Sequence, residues 1–199
     1  MPLFENIRKV IETATGYYRP GKAAAALVQK RKANTYKFRD DGNTPNNPRF
    51  ALVHYRSPVR LDLRYDSAAI FEDLFSLNGW KDSWRNGVYD FLHFHTSTHE
   101  VLGIARGDAR VQFGGAKGRV LRIKAGDVII LPAGTGHHRL SASKDLLVVG
   151  AYPAGGKYDE PKPSEVDHEA AVARIAKVKP PKKDPVFGSH GPLKRLWRT

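Results

Sequence analysis

Gly87-Val88-Tyr89-Asp90-Phe91-Leu92-His93-Phe94-His95-Thr96-Ser97-Thr98-His99-Glu100-Val101-Leu102-Gly103-Ile104-Ala105-Arg106-Gly107 is the stretch that decides the fold. His93 and His95 stand two apart in a strand-like run from Tyr89 to His95, which sends both imidazoles to one face of a sheet. Thr96-Ser97-Thr98 reads as a short turn, after which Glu100 begins a neighbouring strand, Glu100 to Ile104. From Val88 to Tyr152 the texture is uniform: apolar runs of four to seven residues broken by Gly103, Gly107, Gly114-Gly115, Gly118, Gly126, Pro132, Gly134 and Gly136. Many short, closely spaced strands predict an all-β barrel or sandwich. Ala109 to Phe113 and Leu121 to Lys124 alternate apolar with polar residues, so each is expected to have one wet face, and the strands are expected to be antiparallel. His137 follows the tight turn Pro132-Ala133-Gly134-Thr135-Gly136 on a further strand, where it can meet His93, His95 and Glu100.

The chain has no cysteine, so a metal here is held by nitrogen and oxygen. His99 offers an alternative set, because H-x-H-x3-H is also a good three-histidine site. Adjacent strand residues face opposite ways, so His99 and Glu100 do not both reach one ion, and His138 is excluded beside His137 on the same ground. Phe91 and Tyr89, two and four residues before His93, are expected on the inward face, either as a wall for a small organic ligand or as barrel filling. His54, His168 and His190 have no partner pattern and read as surface or packing residues. Gly16 to Lys22 imitates a phosphate loop, G-x4-G-K, but Ala23 stands where Ser or Thr would bind Mg²⁺ and no apolar strand precedes it.

Gly87, His93, His95, Glu100 and Gly107 fit G-x5-H-x-H-x4-E-x6-G, and Gly126, Pro132, Gly134 and His137 fit G-x5-P-x-G-x2-H. These are the two cupin motifs, in order, with one departure: Ser141 stands where the second usually ends in Asn, a position that is not normally a ligand. Asp40 to Pro48, Asn78-Gly79-Trp80, Ser83-Trp84, Val148 to Pro153, Asp184 to Gly188 and Gly191-Pro192-Leu193 resemble the YjlB-like branch of bacterial single-domain cupins, from about Thr35 onward. The resemblance implies an all-β cupin, a double-stranded β-helix or jelly-roll barrel with helical and irregular arms. It implies His93, His95, Glu100 and His137 as metal ligands, choosing Glu100 over His99 by motif spacing, and leaves His99 as a residue behind the ligands or on the surface. It also implies a homodimer, since such domains commonly pair through sheet edges and arms. It brings no substrate.

A single domain is expected for 199 residues, with a basic helical arm over 1–34, the barrel over 35–160 and a C-terminal helix and arm over 161–199. Leu3, Phe4, Ile7, Val10 and Ile11 recur at helical spacing, and Ala-rich Lys22 to Lys32 predicts a second short helix, both docking outside the main core. Asp40 to Pro48 is a string of turn formers. Phe50 to Tyr55 predicts a strand, Ser67 to Leu77 a helix, and Ser164-Glu165-Val166-Asp167 the cap of another helix reaching Val178 before Pro180-Pro181. Phe187, Leu193, Leu196 and Trp197 read as anchors of the arm.

The net charge of +13 gathers toward the ends: residues 1–39 hold nine Lys and Arg against two Glu, and residues 153–199 hold ten against six acids. Stacking aromatics are sparse there, so solvated tails are the better reading than a nucleic-acid site. No signal-peptide core lies between Met1 and Lys22, and Ala23 to Val28 is too short to span a bilayer, so a cytoplasmic location with no membrane partner is expected. Three imidazoles and a carboxylate suit one divalent transition metal, Fe, Mn, Ni, Zn, Co or Cu, and disfavour Ca and Mg. The expected function is metal-dependent chemistry on a small organic molecule, of dioxygenase or isomerase type, with His99 or Tyr89 as base. The alternatives are a non-catalytic module that binds or senses a metal or small ligand, and a nucleic-acid binder working through the basic tails.

Overall fold

A computed structural model describes residues 18–155 and 158–198. Among the described residues, nine strands form two sheets: β1 (Ala33–Tyr36), β2 (Leu52–Tyr55), β3 (Trp80–Asn86), β4 (Glu100–Arg106), β5 (Asp108–Phe113), β6 (Arg119–Lys124), β7 (Val128–Leu131), β8 (His137–Ala142) and β9 (Leu147–Pro153). The larger sheet has the order β1-β2-β7-β4-β9-β3 and the smaller β6-β5-β8, with antiparallel pairing throughout.

Side-chain parity divides the interior into two layers. Leu52, Leu102, Ile104, Ile129, Leu131 and Val148 point from the larger sheet toward Ala109, Val111, Phe113, Leu121 and Ile123 of the smaller one, filling the barrel. The intervening residues, Val53, Tyr55, Val101, Ala105, Val128, Ile130 and Val149, point the other way. They pack against helix α1 (Ser67–Leu77), the 3₁₀ turn Gly21–Leu27 and the C-terminal arm. A sheet covered on both faces explains why β7 and much of β9 read as continuous apolar runs while β5 and β6 alternate. Helix α1 sits so close that a Cβ on Gly103 would lie 2.4 Å from the Phe71 ring.

Several expectations are corrected. The Leu3 to Ile11 helix lies outside the described residues. Lys22 to Lys32 is not one helix: the 3₁₀ turn stops at Leu27, Val28 bridges Val59, and Gln29 N–H donates to the Pro58 carbonyl at 2.7 Å, so pairing outweighs the Ala-rich propensity. Nor does this segment lie outside the core, since Ala24 and Leu27 are buried in it. The helix Ser67–Leu77 is found as expected, with Asp66 accepting from Ala68 N–H at 3.0 Å as its cap. Near the C-terminus, Asp167 rather than Ser164 caps helix α2 (His168–Ala176). Of the arm's expected anchors, Leu193 and Trp197 are buried and Phe187 is half-buried, but Leu196 is exposed.

His99 marks the divide between the layers. It shares Val101's side of β4, and its ring packs against Trp197 and Phe50 at centroid distances of 4.7 and 5.9 Å. Its Nδ1 accepts from Ala133 N–H at 2.9 Å, and its Nε2 donates to the Lys179 carbonyl at 3.1 Å. It is neither a surface group nor turned toward the side chains of His93, His95, Glu100 and His137, which removes it as a base. Burial pushes the imidazole down to about 4, because the desolvated site disfavours a charged ring and the Arg49 guanidinium adds to this. The unfolded chain takes up that proton near 6.5, so the stability due to neutral His99 is complete above 6.5 and is lost as pH falls toward 4. Roughly 3 kcal/mol is the expected loss over that window. Urea unfolding at pH 7 and pH 4.5 reads it, and an equal pH slope in His99→Gln would remove His99 as the cause.

Candidate metal centre

Three chain segments converge at one end of the barrel's inner face. Glu100 opens β4 opposite Leu131 and shares the inward parity of Leu102 and Ile104. His137 opens β8, and its backbone exchanges hydrogen bonds with His93 at 3.0 and 3.3 Å. The Tyr89 to His95 stretch is not a strand. After β3 it runs irregularly, meeting β8 at the His93–His137 bridge and where Arg139 N–H donates to Tyr89 O at 2.7 Å, and it delivers both imidazoles to the same place.

Each imidazole turns Nδ1 outward onto a main-chain carbonyl: His93 toward Phe91 O at 3.3 Å, His137 to Thr135 O at 3.1 Å, and His95 to Asp159 O. A proton on Nδ1 leaves Nε2 bare, and one ligand nitrogen from each ring lies within 4.8 Å of the others. The Glu100 carboxylate Oε2 lies 3.2 Å from His95 Nε2 and 3.5 Å from His137 Nε2. All four side chains are buried. His95 Nε2 and Glu100 Oε2 are in ionic contact but neither has a partner in hydrogen-bond geometry, an arrangement a shared cation relieves. The donor set and these two buried atoms therefore fit a divalent transition metal.

The electrostatics point the same way. Burial disfavours charge on Glu100, but His95, His137 and His93 outweigh it and hold the carboxylate below its usual range. Burial also opposes a charge on His95, which Glu100 and the Asp159 carbonyl overcome, carrying the imidazole up to about 9. Burial and then the neighbouring His93 push His137 down to about 3, and burial lowers His93 as well. The carboxylate thus calls for one positive charge among three imidazoles.

Two supports were not legible in the sequence. Tyr158 to Pro161 crosses the site as a strap after β9: Asp159 accepts from Thr96 N–H at 2.9 Å and from the Ser97 hydroxyl at 2.9 Å, besides receiving His95 Nδ1–H on its carbonyl. Its Tyr158 ring stacks on Tyr152 at 4.7 Å, and Tyr152 stands edge-on to His95 at 5.6 Å. The turn before His137 is held by the loop read only as turn formers, where Asn47 Nδ2 donates to Ala133 O at 2.9 Å and Asn46 Nδ2 to Gly114 O at 3.1 Å. Asx side chains so placed were visible as residues, but their partners lie 86 and 68 positions away.

A cleft of about 200 Å³ opens onto His93, Glu100 and His137, walled by Trp84, Tyr89, Tyr158 and Glu160. Phe91 is not on the inward face. It stacks on Tyr89 at 4.7 Å at the rim, both rings partly exposed, because strand alternation does not extend to this irregular segment.

An antiparallel two-sheet barrel that carries both histidine motifs, with their side chains gathered inside, defines a cupin. No family model matches the chain. Over 168 residues, 84% of the chain, it is 39% identical to YjlB, an uncharacterised protein of Bacillus subtilis strain 168, of which it covers 98%. The chain belongs to the YjlB family. Among solved structures it resembles oxalate decarboxylase OxdC of B. subtilis at 20% identity, with TM-score 0.36 over 59% of this chain and 29% of that one. It also resembles acireductone dioxygenase of Bacillus anthracis at 18% identity, with TM-score 0.33 over 45% of this chain and 61% of that one. The chain thus spans less than two thirds of either.

Proposed function

We propose that this protein is a metal-dependent cupin acting on a small organic molecule, with one divalent transition metal held by His93, His95, His137 and Glu100. The observation that carries the reading is the outward anchoring of all three Nδ1 atoms on carbonyls, which turns the three Nε2 atoms toward a buried carboxylate, with only His95 holding a proton there for an ion to displace. When bound, such a metal supplies Lewis-acid or redox chemistry to a molecule in the cleft, consistent with either an isomerase or a dioxygenase. The protein's own groups orient and deprotonate. Tyr89 is a poor base, since Glu160 and burial raise its phenol, whereas the Glu160 carboxylate itself lines the cleft and is placed to take a proton.

Elemental analysis of untagged protein purified without chelator tests the metal. Near-stoichiometric Fe, Mn, Ni, Co, Cu or Zn is expected in the wild type and less than a tenth of it in His93→Ala and His137→Ala. Circular dichroism checks that both variants stay folded. Folded wild type that carries no transition metal, and takes none up on dialysis, overturns the proposal.

A further inference from the structure

We infer that the cleft above the histidines takes an uncharged or cationic molecule with an aromatic or other flat apolar face, and excludes dicarboxylates. This rests on the proposal above for its place in chemistry, but not for its test.

The protein as a whole is strongly cationic, at +13, yet its cleft is not. Among the described residues, the charged ones lining it are Arg85, Glu100 and Glu160. Arg85 is already spent on helix α1: its Nε and one terminal nitrogen grip the two oxygens of Glu72 at 2.6 and 2.9 Å, and the other terminal nitrogen holds Asp66 at 2.6 Å. A guanidinium forked onto two carboxylates has no bidentate face left for a third. Lys162, at the rim, lies over the Phe91 ring at 5.0 Å and beside Glu165 at 3.6 Å, and it does not line the cleft. A bound divalent ion would be offset in part by Glu100 beside it, and Glu160 on the cleft wall adds a second negative charge that opposes a dianion.

The walls favour a different ligand. Trp84 Nε1 donates to the Tyr152 hydroxyl at 3.0 Å, and its ring lies so close over Gly150 that a Cβ there would be 2.0 Å away. With its donor engaged and its edge fixed, Trp84 offers the cleft apolar surface. Tyr158, stacked on Tyr152, and Tyr89 supply further aromatic surface. Rings beside a carboxylate attract cations and stack on flat neutral molecules, while Glu160 accepts from a hydroxyl or amine. At about 200 Å³ the cleft is smaller than the ~300–1,000 Å³ typical of drug-sized ligands, so the molecule is small.

Four probes share one ring and differ in charge: benzyl alcohol, benzylamine, benzoate and phthalate. Calorimetric titration is run on the protein as purified and after chelator stripping. Benzyl alcohol and benzylamine are expected to bind about tenfold or more tighter than benzoate, and phthalate weakest, in both forms. Glu160→Gln, a change at an exposed position, is expected to remove most of the advantage of benzylamine over benzoate. Benzoate or phthalate binding as tightly as benzyl alcohol in either form overturns the inference, as does failure of all four to bind folded protein at millimolar concentration. Because the stripped form is titrated too, the charge preference of the cleft is measured even if the protein holds no metal, and failure of the probes leaves the metal proposal standing.

Discussion

Metal uptake at pH 7 is expected to release close to one proton per ion, and the apparent affinity to rise about tenfold per pH unit until it levels off near pH 9. The sign follows from which ring holds the proton. His95 is raised to about 9 by Glu100 and is charged at neutral pH, whereas His93 and His137 are lowered and Glu100 is held ionised. An incoming cation has to displace the His95 proton and no other. Between pH 9 and pH 7 the expected loss of affinity is about a hundredfold. Competition titration with a chromophoric chelator across pH 6 to 10 measures the slope, and titration in buffers of different ionisation enthalpy counts the proton. Affinity independent of pH over that range would mean that His95 is neutral in the metal-free protein and that Glu100 does not pair with it.

Asp184→Ala is expected to cost about 4 kcal/mol of stability, a large part of the ~5–15 kcal/mol of an ordinary domain. The carboxylate is fully buried and ties the arm to the larger sheet. One oxygen accepts from the backbone N–H of Val186 at 2.9 Å and of Phe187 at 3.0 Å. The other accepts the Tyr55 hydroxyl at 2.7 Å and Leu193 N–H at 3.2 Å. Burial and Asp184 together raise the Tyr55 phenol, so it stays a donor. Removing the carboxylate strands four donors at once, three of them buried, and Asp184→Asn, which keeps one accepting oxygen, is expected to lose about half as much. Chemical denaturation reads both, and a loss under about 1 kcal/mol in Asp184→Ala would show that Trp197, stacked on Phe50 at 5.1 Å, holds the arm by itself. The metal content of the folded variant should be unchanged, because Asp184 lies on the opposite side of the sheet from the ligands.

What could be read from the residues, and what could not, follows from the range of the forces involved. The gathering of His93, His95, Glu100 and His137 was legible because the turn Thr96 to Thr98 leads into β4 and the Pro132 to Gly136 turn into β8, and those spacings are local. The helix Ser67–Leu77 was legible from its period for the same reason. β3 was not: Trp80–Asn86 is an edge strand, mostly exposed, whose Lys, Asp, Ser and Arg carry no apolar alternation. The place of His99 was hidden because its partners, Phe50, Lys179 and Trp197, come from both ends of the chain. The strap that aims His95 is a run of ordinary polar residues whose role exists only once β9 has delivered it to the mouth of the barrel.

β4 is paired on both sides, Glu100 against Leu131 and Val101 against both Ile130 and Ala151. A strand locked along two edges has no room to slide, so the four residues between His95 and Glu100 act as a ruler. An inserted or deleted residue ahead of Val101 would be taken up by the Thr96 to Thr98 turn if that turn could stretch, but Asp159 clamps it. The error would pass instead into the strand, turning an imidazole toward the cleft and burying a carboxylate against Trp197. A single-residue change of length between His95 and Glu100 would therefore dismantle the cluster, where a substitution in the same interval would not.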